Sequence, residues 1–229
     1  MLHIIGRAPQ FAILAVLLVI PACSQSEDDT GPPETETAAE TRRLFAQGFS
    51  EAREQPVQSA APATSFQPDM AVRSKVAGGI ADNLRRNFSL DFVIPDAEKF
   101  IRSGAASDIA DRKLEALGLP LNDLASASVL MFGLAWEIAN SEALTPVDQK
   151  ALMRQVGEQL TAPREDEALQ READTRLMTA ALWLEEARLR RGSPQRMLEL
   201  SDAVQRDMMR LSGNDMRAHD IQKEGFVER

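Results

Sequence analysis

Tyrosine is absent from this 229-residue chain, cysteine occurs once and histidine twice. Each shortage removes a class of chemistry. A lone Cys23 forms neither an intramolecular disulfide nor a cysteine-rich metal site. Structural zinc needs several His or Cys ligands, and a carboxylate-bridged metal bundle needs a Glu-x-x-His pair on two helices; neither set is present. A Ser-His-Asp triad needs a histidine base, and His3 and His219 have no local Ser and Asp partners. There is no glycine-rich phosphate loop, so no nucleotide is expected. Lys and Arg are outnumbered 26 to 35 by Asp and Glu, giving a net charge of −9. Nucleic acid binding rests on clustered cations and is not expected either. The sequence therefore assigns no catalytic residue, no cofactor and no metal.

Alternating strand patterns are also lacking, whereas Ala, Leu, Met, Glu, Arg and Gln, all good helix formers, dominate. A 44 % hydrophobic content suffices for one sizeable core. The expected fold is all-α: about six to seven helices around a buried central helix, roughly residues 121–141. From Leu124 to Trp136 that stretch has no charged side chain, and a helix apolar all round is buried on all sides. Asn122 or Asp123 caps its positive end.

Three regions follow: an export segment at 1–22, a lipidated cysteine and acidic, proline-containing tether at 23–65, and a helical domain at 66–229. Residues 11–20, FAILAVLLVI, form an uninterrupted apolar run behind Arg7, the length of a signal-peptide core and too short to span a bilayer. The run ends Ile20-Pro21-Ala22-Cys23, which resembles a bacterial lipoprotein box. That resemblance implies that Cys23 becomes the N-terminus and carries the acyl chains, several of which anchor stably where one does not. Ser24 at the next position implies the periplasmic side of the outer membrane. The tether is too polar to offset its ordering entropy, and its length gives a mean reach of about 35 Å. Leu44, Phe45 and Phe49 are spaced like one apolar face of a short helix at 41–54, weakened by Gly48 and read either as a frayed helix in the linker or as a docking peptide.

Within the domain the expected helices run from Asp69 to Phe88, from Pro95 to Ser103, and from a Ser107-Asp108 cap to Leu117. A close helix approach is expected to compensate for Gly78-Gly79. The helix after Thr145-Pro146 buries Val147, Ala151, Met153, Val156 and Leu160, and two long helices with bundle seams complete the core. Residues 213–229 form a terminal arm, with Ile221, Phe226 and Val227 available to dock back. Glu185-Glu186 and the acids at 165–167 read as solvated faces, and Glu137 as paired with an arginine or facing water. Arg188, Arg190 and Arg191 cluster at a helix end, where cations complement the macrodipole, with anion binding as the sharper alternative. Met197, Met208, Met209 and Met216 are core filler or an adaptable groove.

Leu117-Gly118-Leu119, Asn122-Asp123-Leu124-Ala125, Trp136 and Gly225-Phe226 stand in an order that resembles an uncharacterised family of exported bacterial all-helical domains, a domain of unknown function. The resemblance implies a helical exported domain and supplies no catalytic residues. The expected function is a lipid-anchored, extracytoplasmic binding or accessory module of the cell envelope. Its expected partners are the membrane, through the anchor, and an unknown envelope protein. The alternative is an envelope hydrolase using paired carboxylates, which can work without histidine.

Overall fold

Helix boundaries in the computed structural model, which describes residues 64–160 and 164–229, follow the capping chemistry. The export segment, Cys23 and the candidate helix at 41–54 lie outside the described residues, all of which belong to one compact unit, Glu34–Arg229. Helix α1 (Met70–Asp82) begins at Asp69, whose carboxylate accepts the Ala71 N–H at 2.7 Å. It does not continue to Phe88. Asn83 leaves helical geometry (φ −120°, ψ 18°), and its side chain turns back to donate to the Gly79 carbonyl at 2.9 Å. A single turn, α2 (Leu84–Asn87), follows. The close approach expected at Gly78 is not there: a Cβ would meet only the Arg102 guanidinium, at an ordinary 3.6 Å.

Helix α3 (Ala97–Arg102) is capped by Asp96. Helix α4 (Ala105–Leu117) starts after Gly104, so Ser107 and Asp108 sit in its first turn instead of capping it. Gly118, left-handed at φ 66°, ends α4, and Asn122, at φ 50°, turns the chain into the next helix. Asp123 then caps α5 (Leu124–Asn140), accepting the Ser126 N–H at 2.7 Å. Every residue from Leu124 to Trp136 is buried, as expected for the central helix. The chain enters the domain across this same end. Leu124 N–H donates to the Thr64 carbonyl at 2.9 Å, Phe66 N–H to the Asn122 carbonyl at 3.0 Å, and Gln67 N–H to Asp166 at 3.1 Å.

Helix α6 (Pro146–Gln159) opens with a Thr145/Asp148 capping box. Val147, expected inside, lies in that first turn and is 68 % exposed; Leu152 is fully buried instead. Leu144 and Leu152 close over Gly133, where a Cβ would lie 2.6 Å from Leu144 Cδ1. Helices α7 (Asp166–Arg190) and α8 (Pro194–Ser212) complete the eight helices among the described residues. Helices α1 and α7 run parallel, since Asp69 N–H meets Gln170 at 2.8 Å and Arg73 Nε meets Asp174 at 3.0 Å one turn further along both. The fold is thus an all-α bundle around α5.

One short β element was not anticipated. After a 3-10 turn (Met216–Ala218), the terminal arm forms an antiparallel hairpin of β1 (His219–Gln222) and β2 (Gly225–Glu228), with Ile221 opposite Phe226. It docks back as expected, with Ile221 and Phe226 packed on the core. Trp136 Nε1–H donates to the His219 carbonyl at 2.8 Å. The Gln155 amide mimics a neighbouring strand: it accepts the Phe226 N–H at 2.9 Å and donates to the Phe226 carbonyl at 3.2 Å. Gly225 has φ 101°, and a Cβ there would overlap the Gln155 side chain. Gly213 has φ 71° but open space around it. Gly225→Ala is therefore expected to cost about 2–4 kcal/mol, strain plus overpacking, against about 1 kcal/mol for Gly213→Ala, strain alone. Urea unfolding of the two variants checks the order; equal losses would remove Gln155 from the account.

Candidate functional site

Of the bundle seam read on α7 (Leu169, Ala173, Leu177, Ala180, Leu184 and Ala187) the first four are buried and the last two half-buried, but every other residue from Leu169 to Trp183 is buried too, except half-buried Arg171. Glu172, Asp174 and Arg176 are therefore inside the protein, where an unpaired charge is not tolerated. Arg176 pairs with Glu172 one turn back and donates to Ser128 Oγ on α5. Its guanidinium lies 5.5 Å from the Phe132 ring centroid, and Arg164 reaches the other oxygen of Glu172. Burial lowers the Arg176 pKa, opposed by Glu172.

A second cluster tests the paired-acid expectation. Arg73 bridges Asp174, at 3.0 Å, and Asp111, at 3.6 Å. Burial raises both carboxyls despite the guanidinium. The arrangement does not match a hydrolytic pair. Asp174 is 1 % exposed, its oxygens are taken by Arg73 Nε and by Gln170 Nε2 at 3.1 Å, and the same Arg73 is the ion-pair partner of Asp111. Glu137 is not paired with an arginine either; it accepts the Leu144 N–H at 2.8 Å and shapes the turn after α5.

At the C-terminal end of α7 one expectation is reversed. Glu185 is half-buried and paired with exposed Arg188, whose hydrogen bonds lower its pKa. Glu186, read as solvated, is fully buried. One of its oxygens accepts the Val93 and Ile94 N–H groups at 2.7 and 2.8 Å; the other accepts Arg190 Nε at 2.8 Å. Arg190 in turn donates to the Asp91 carbonyl at 2.5 Å. Within the arginine cluster Arg190 is 3 % exposed and occupied and Arg188 is held by Glu185, while Arg191 is exposed.

These contacts hold residues 89–94, which lie between the first two helices expected from the sequence. Phe88, Leu90 and Ile94 are buried and Phe92 packs on the core, whereas Ser89 and Asp91 are exposed. The alternation is that of a strand, but side chains replace the ladder. Ser89 N–H is held by Asp207 at 2.7 Å, the Asp91 carbonyl by Arg190, and Val93 N–H by Glu186. Asp207 is fully buried, and burial raises its pKa against the opposing bonds from Ser89 and attraction by Arg210 and Arg206. The apolar period of two at 88, 90, 92 and 94, stopped by Pro95, was the available signal. An i,i+4 Glu–Arg pair such as Glu186–Arg190 looks the same in sequence on a surface or in a core.

Between Ser89–Val93 and α8 lies a groove of about 510 Å³. Its α8 wall carries Arg196, Glu199, Asp202, Ala203 and Arg206. Glu199 is 3.5 Å from Arg190, and Asp202 is 2.6 Å from Arg217. The methionines contribute little: Met208 and Met216 are core filler, half-buried Met197 packs on the core, and Met209 is 46 % exposed. His219 opens the hairpin, its Nδ1 2.6 Å from the Asp215 carbonyl. Comparison with protein-family models, curated proteins and solved structures finds no match.

Two outcomes test this site. Glu186→Ala deprives Arg190 of its buried carboxylate and leaves two N–H groups unpaired, an expected loss of about 3–5 kcal/mol, whereas Glu185→Ala stays within about 1 kcal/mol. Comparable losses in denaturant titrations would contradict the burial difference. Asp207 gives a pH effect of definite sign. Its folded pKa is above the unfolded 3.8, so the folded state holds the proton more readily, and its contribution to stability rises as pH falls through the folded value. Wild type should therefore gain stability relative to Asp207→Asn between pH about 7 and 4. A constant or opposite difference would contradict this.

Proposed function

We propose that the chain is a lipid-anchored, extracytoplasmic helical binding or accessory module of the bacterial cell envelope, without a catalytic role. Acylated Cys23 holds it at the periplasmic side of the outer membrane, and the tether presents the domain to another envelope protein. The groove between Ser89–Val93 and α8 is the binding face, and it is the observation that carries this reading. One wall is peptide backbone fixed by Glu186, Arg190 and Asp207, so little order has to be gained on binding. The other wall presents charge and shape: its acids stand opposite arginines, an arrangement suited to recognition rather than proton transfer.

The N-terminal features support the location. No helix among the described residues is long and apolar enough to cross a membrane, and the proposed attachment is the lipid on Cys23. The resemblance carried by Gly118, Asn122-Asp123, Trp136 and Gly225-Phe226 points the same way, to an exported helical domain.

A photo-reactive residue at Glu199, in intact cells, is expected to capture a defined envelope protein; recovery of abundant bystanders alone would contradict the proposal. Fatty-acid labelling is expected in the wild type and lost in Cys23→Ala, and label that persists would remove the anchor assignment.

A further inference from the structure

The backbone wall of the groove is only half bonded. In an extended chain the N–H and C=O of one residue point to the same edge, and alternate residues share that edge. Ser89 N–H, the Asp91 carbonyl and Val93 N–H are taken by Asp207, Arg190 and Glu186, so they mark the edge that faces α7 and α8. The other groups on this edge are the Ser89 carbonyl, Asp91 N–H and the Val93 carbonyl. None of them has a hydrogen-bond partner among the described residues. Ser89 and Asp91 are exposed, and both line the groove. Their free carbonyl and N–H have the spacing by which a strand receives a parallel neighbour: one residue between them donates to the first and accepts from the second.

The α8 wall adds charge. Arg196 and Arg206 are exposed and make no ion pair among the described residues, in a chain where acids outnumber bases 35 to 26. The acids between them are engaged elsewhere, Glu199 near Arg190 and Asp202 with Arg217. Ten residues of helix put the two arginines about 15 Å apart along α8. A complementary occupant is negative at both ends and uncharged between them, where it meets Asp91, Glu199 and Asp202.

Volume selects the occupant's conformation. A helix about 10 Å across and 15 Å long fills about 1,200 Å³, more than twice the 510 Å³ of the groove. An extended chain fits, and it rises about 3.3 Å per residue, so residues four apart lie on one face about 13 Å from each other. Arginine side chains are long enough to take up the difference from 15 Å.

We propose that the groove takes an extended acidic segment of a partner protein, added as a strand parallel to Ser89–Val93, with two carboxylates four residues apart on Arg206 and Arg196. This rests on the proposed function and names the chemistry of its partner. Main-chain bonds to Ser89 and Asp91 supply affinity, and the arginines supply selection. The direction follows from the wall. Ser89 is held by Asp207, next to Arg206, and Asp91 is held by Arg190, whose Nη1 reaches the Arg196 carbonyl at 3.4 Å. A parallel segment therefore brings its first acid to Arg206 and its second to Arg196.

Binding of a blocked seven-residue peptide to the full chain in detergent tests this. The probe carries glutamate at its second and sixth positions and threonine and valine elsewhere, and its affinity is read by fluorescence anisotropy at low salt. Saturable binding is expected, weakened at least about fivefold when both glutamates become glutamine, as two exposed ion pairs allow. N-methylation of the central residue leaves the charge unchanged and removes the N–H meant for the Ser89 carbonyl, and is expected to cost about fivefold. N-methylation of the residue before it, whose N–H points away, is expected to cost little. Arg196→Glu with Arg206→Glu should lose the glutamate peptide and gain one with lysine at the same two positions, a gain that also shows the variant is folded. No saturable binding, indifference to the central N-methyl group, or a charge swap without effect would overturn the added strand. Competition by phosphatidylglycerol vesicles as strong as by unlabelled peptide would assign the arginines to lipid and overturn it as well. If a defined envelope protein is still captured at Glu199 in cells, the binding reading stands and the strand alone falls; if capture fails too, both fall.

Discussion

Two glutamate–arginine pairs, Glu172–Arg176 and Glu186–Arg190, each with its partners one turn apart, are buried about four turns from each other on the same helix, α7. Taking such charges out of water costs more than their attraction returns unless the remaining polar groups are also bonded, and of these four side chains only Arg176, at Nε, has a buried polar atom without a hydrogen bond among the described residues. That condition explains much of the arrangement around α7. Arg176 needs Ser128 and the face of Phe132, which fixes α5 against it. Glu172 needs Arg164 ahead of the helix. Glu186 and Arg190 need the backbone of Val93, Ile94 and Asp91. The apolar contacts of α5 are non-directional and would tolerate sliding; the charged contacts of α7 set the register.

The bundle therefore has two central helices that solve burial differently. Helix α5 does it by composition, with small and apolar side chains and two serines, Ser126 and Ser128, that bond within its own first turns. Helix α7 does it by pairing. Where α7 ends, its last pair holds the Ser89–Ile94 segment by side chains alone, so the rigidity of the groove derives from the core rather than from a sheet.

The central helix, its cap at Asn122 or Asp123, the end of a helix at Leu117 and the docking of the terminal arm were legible, because capping and helical period are local properties. The break at Asn83 was not, since the apolar spacing runs on through it and the interruption is one side-chain hydrogen bond to Gly79. Val147 misled because period alone does not say which turn of α6 touches the core. The larger misses share one cause. Glu186, Arg190 and Asp207 are buried charges whose partners lie about a hundred residues away in sequence, and nothing adjacent to them announces a partner. The hairpin was hidden because Gln155 and Trp136 supply the stabilisation that a four-residue strand lacks.

The account gives a directed role to Ser89–Ile94: backbone outside any helix or sheet, locked by buried carboxylates so that it can serve as one wall of a binding groove. Native-state amide hydrogen exchange measures that lock directly. Val93 and Ile94 are predicted to exchange as slowly as amides in the middle of α5, through global unfolding. Exchange at the rate of an exposed loop would show that Glu186 does not hold the segment, and the groove would lose its fixed wall.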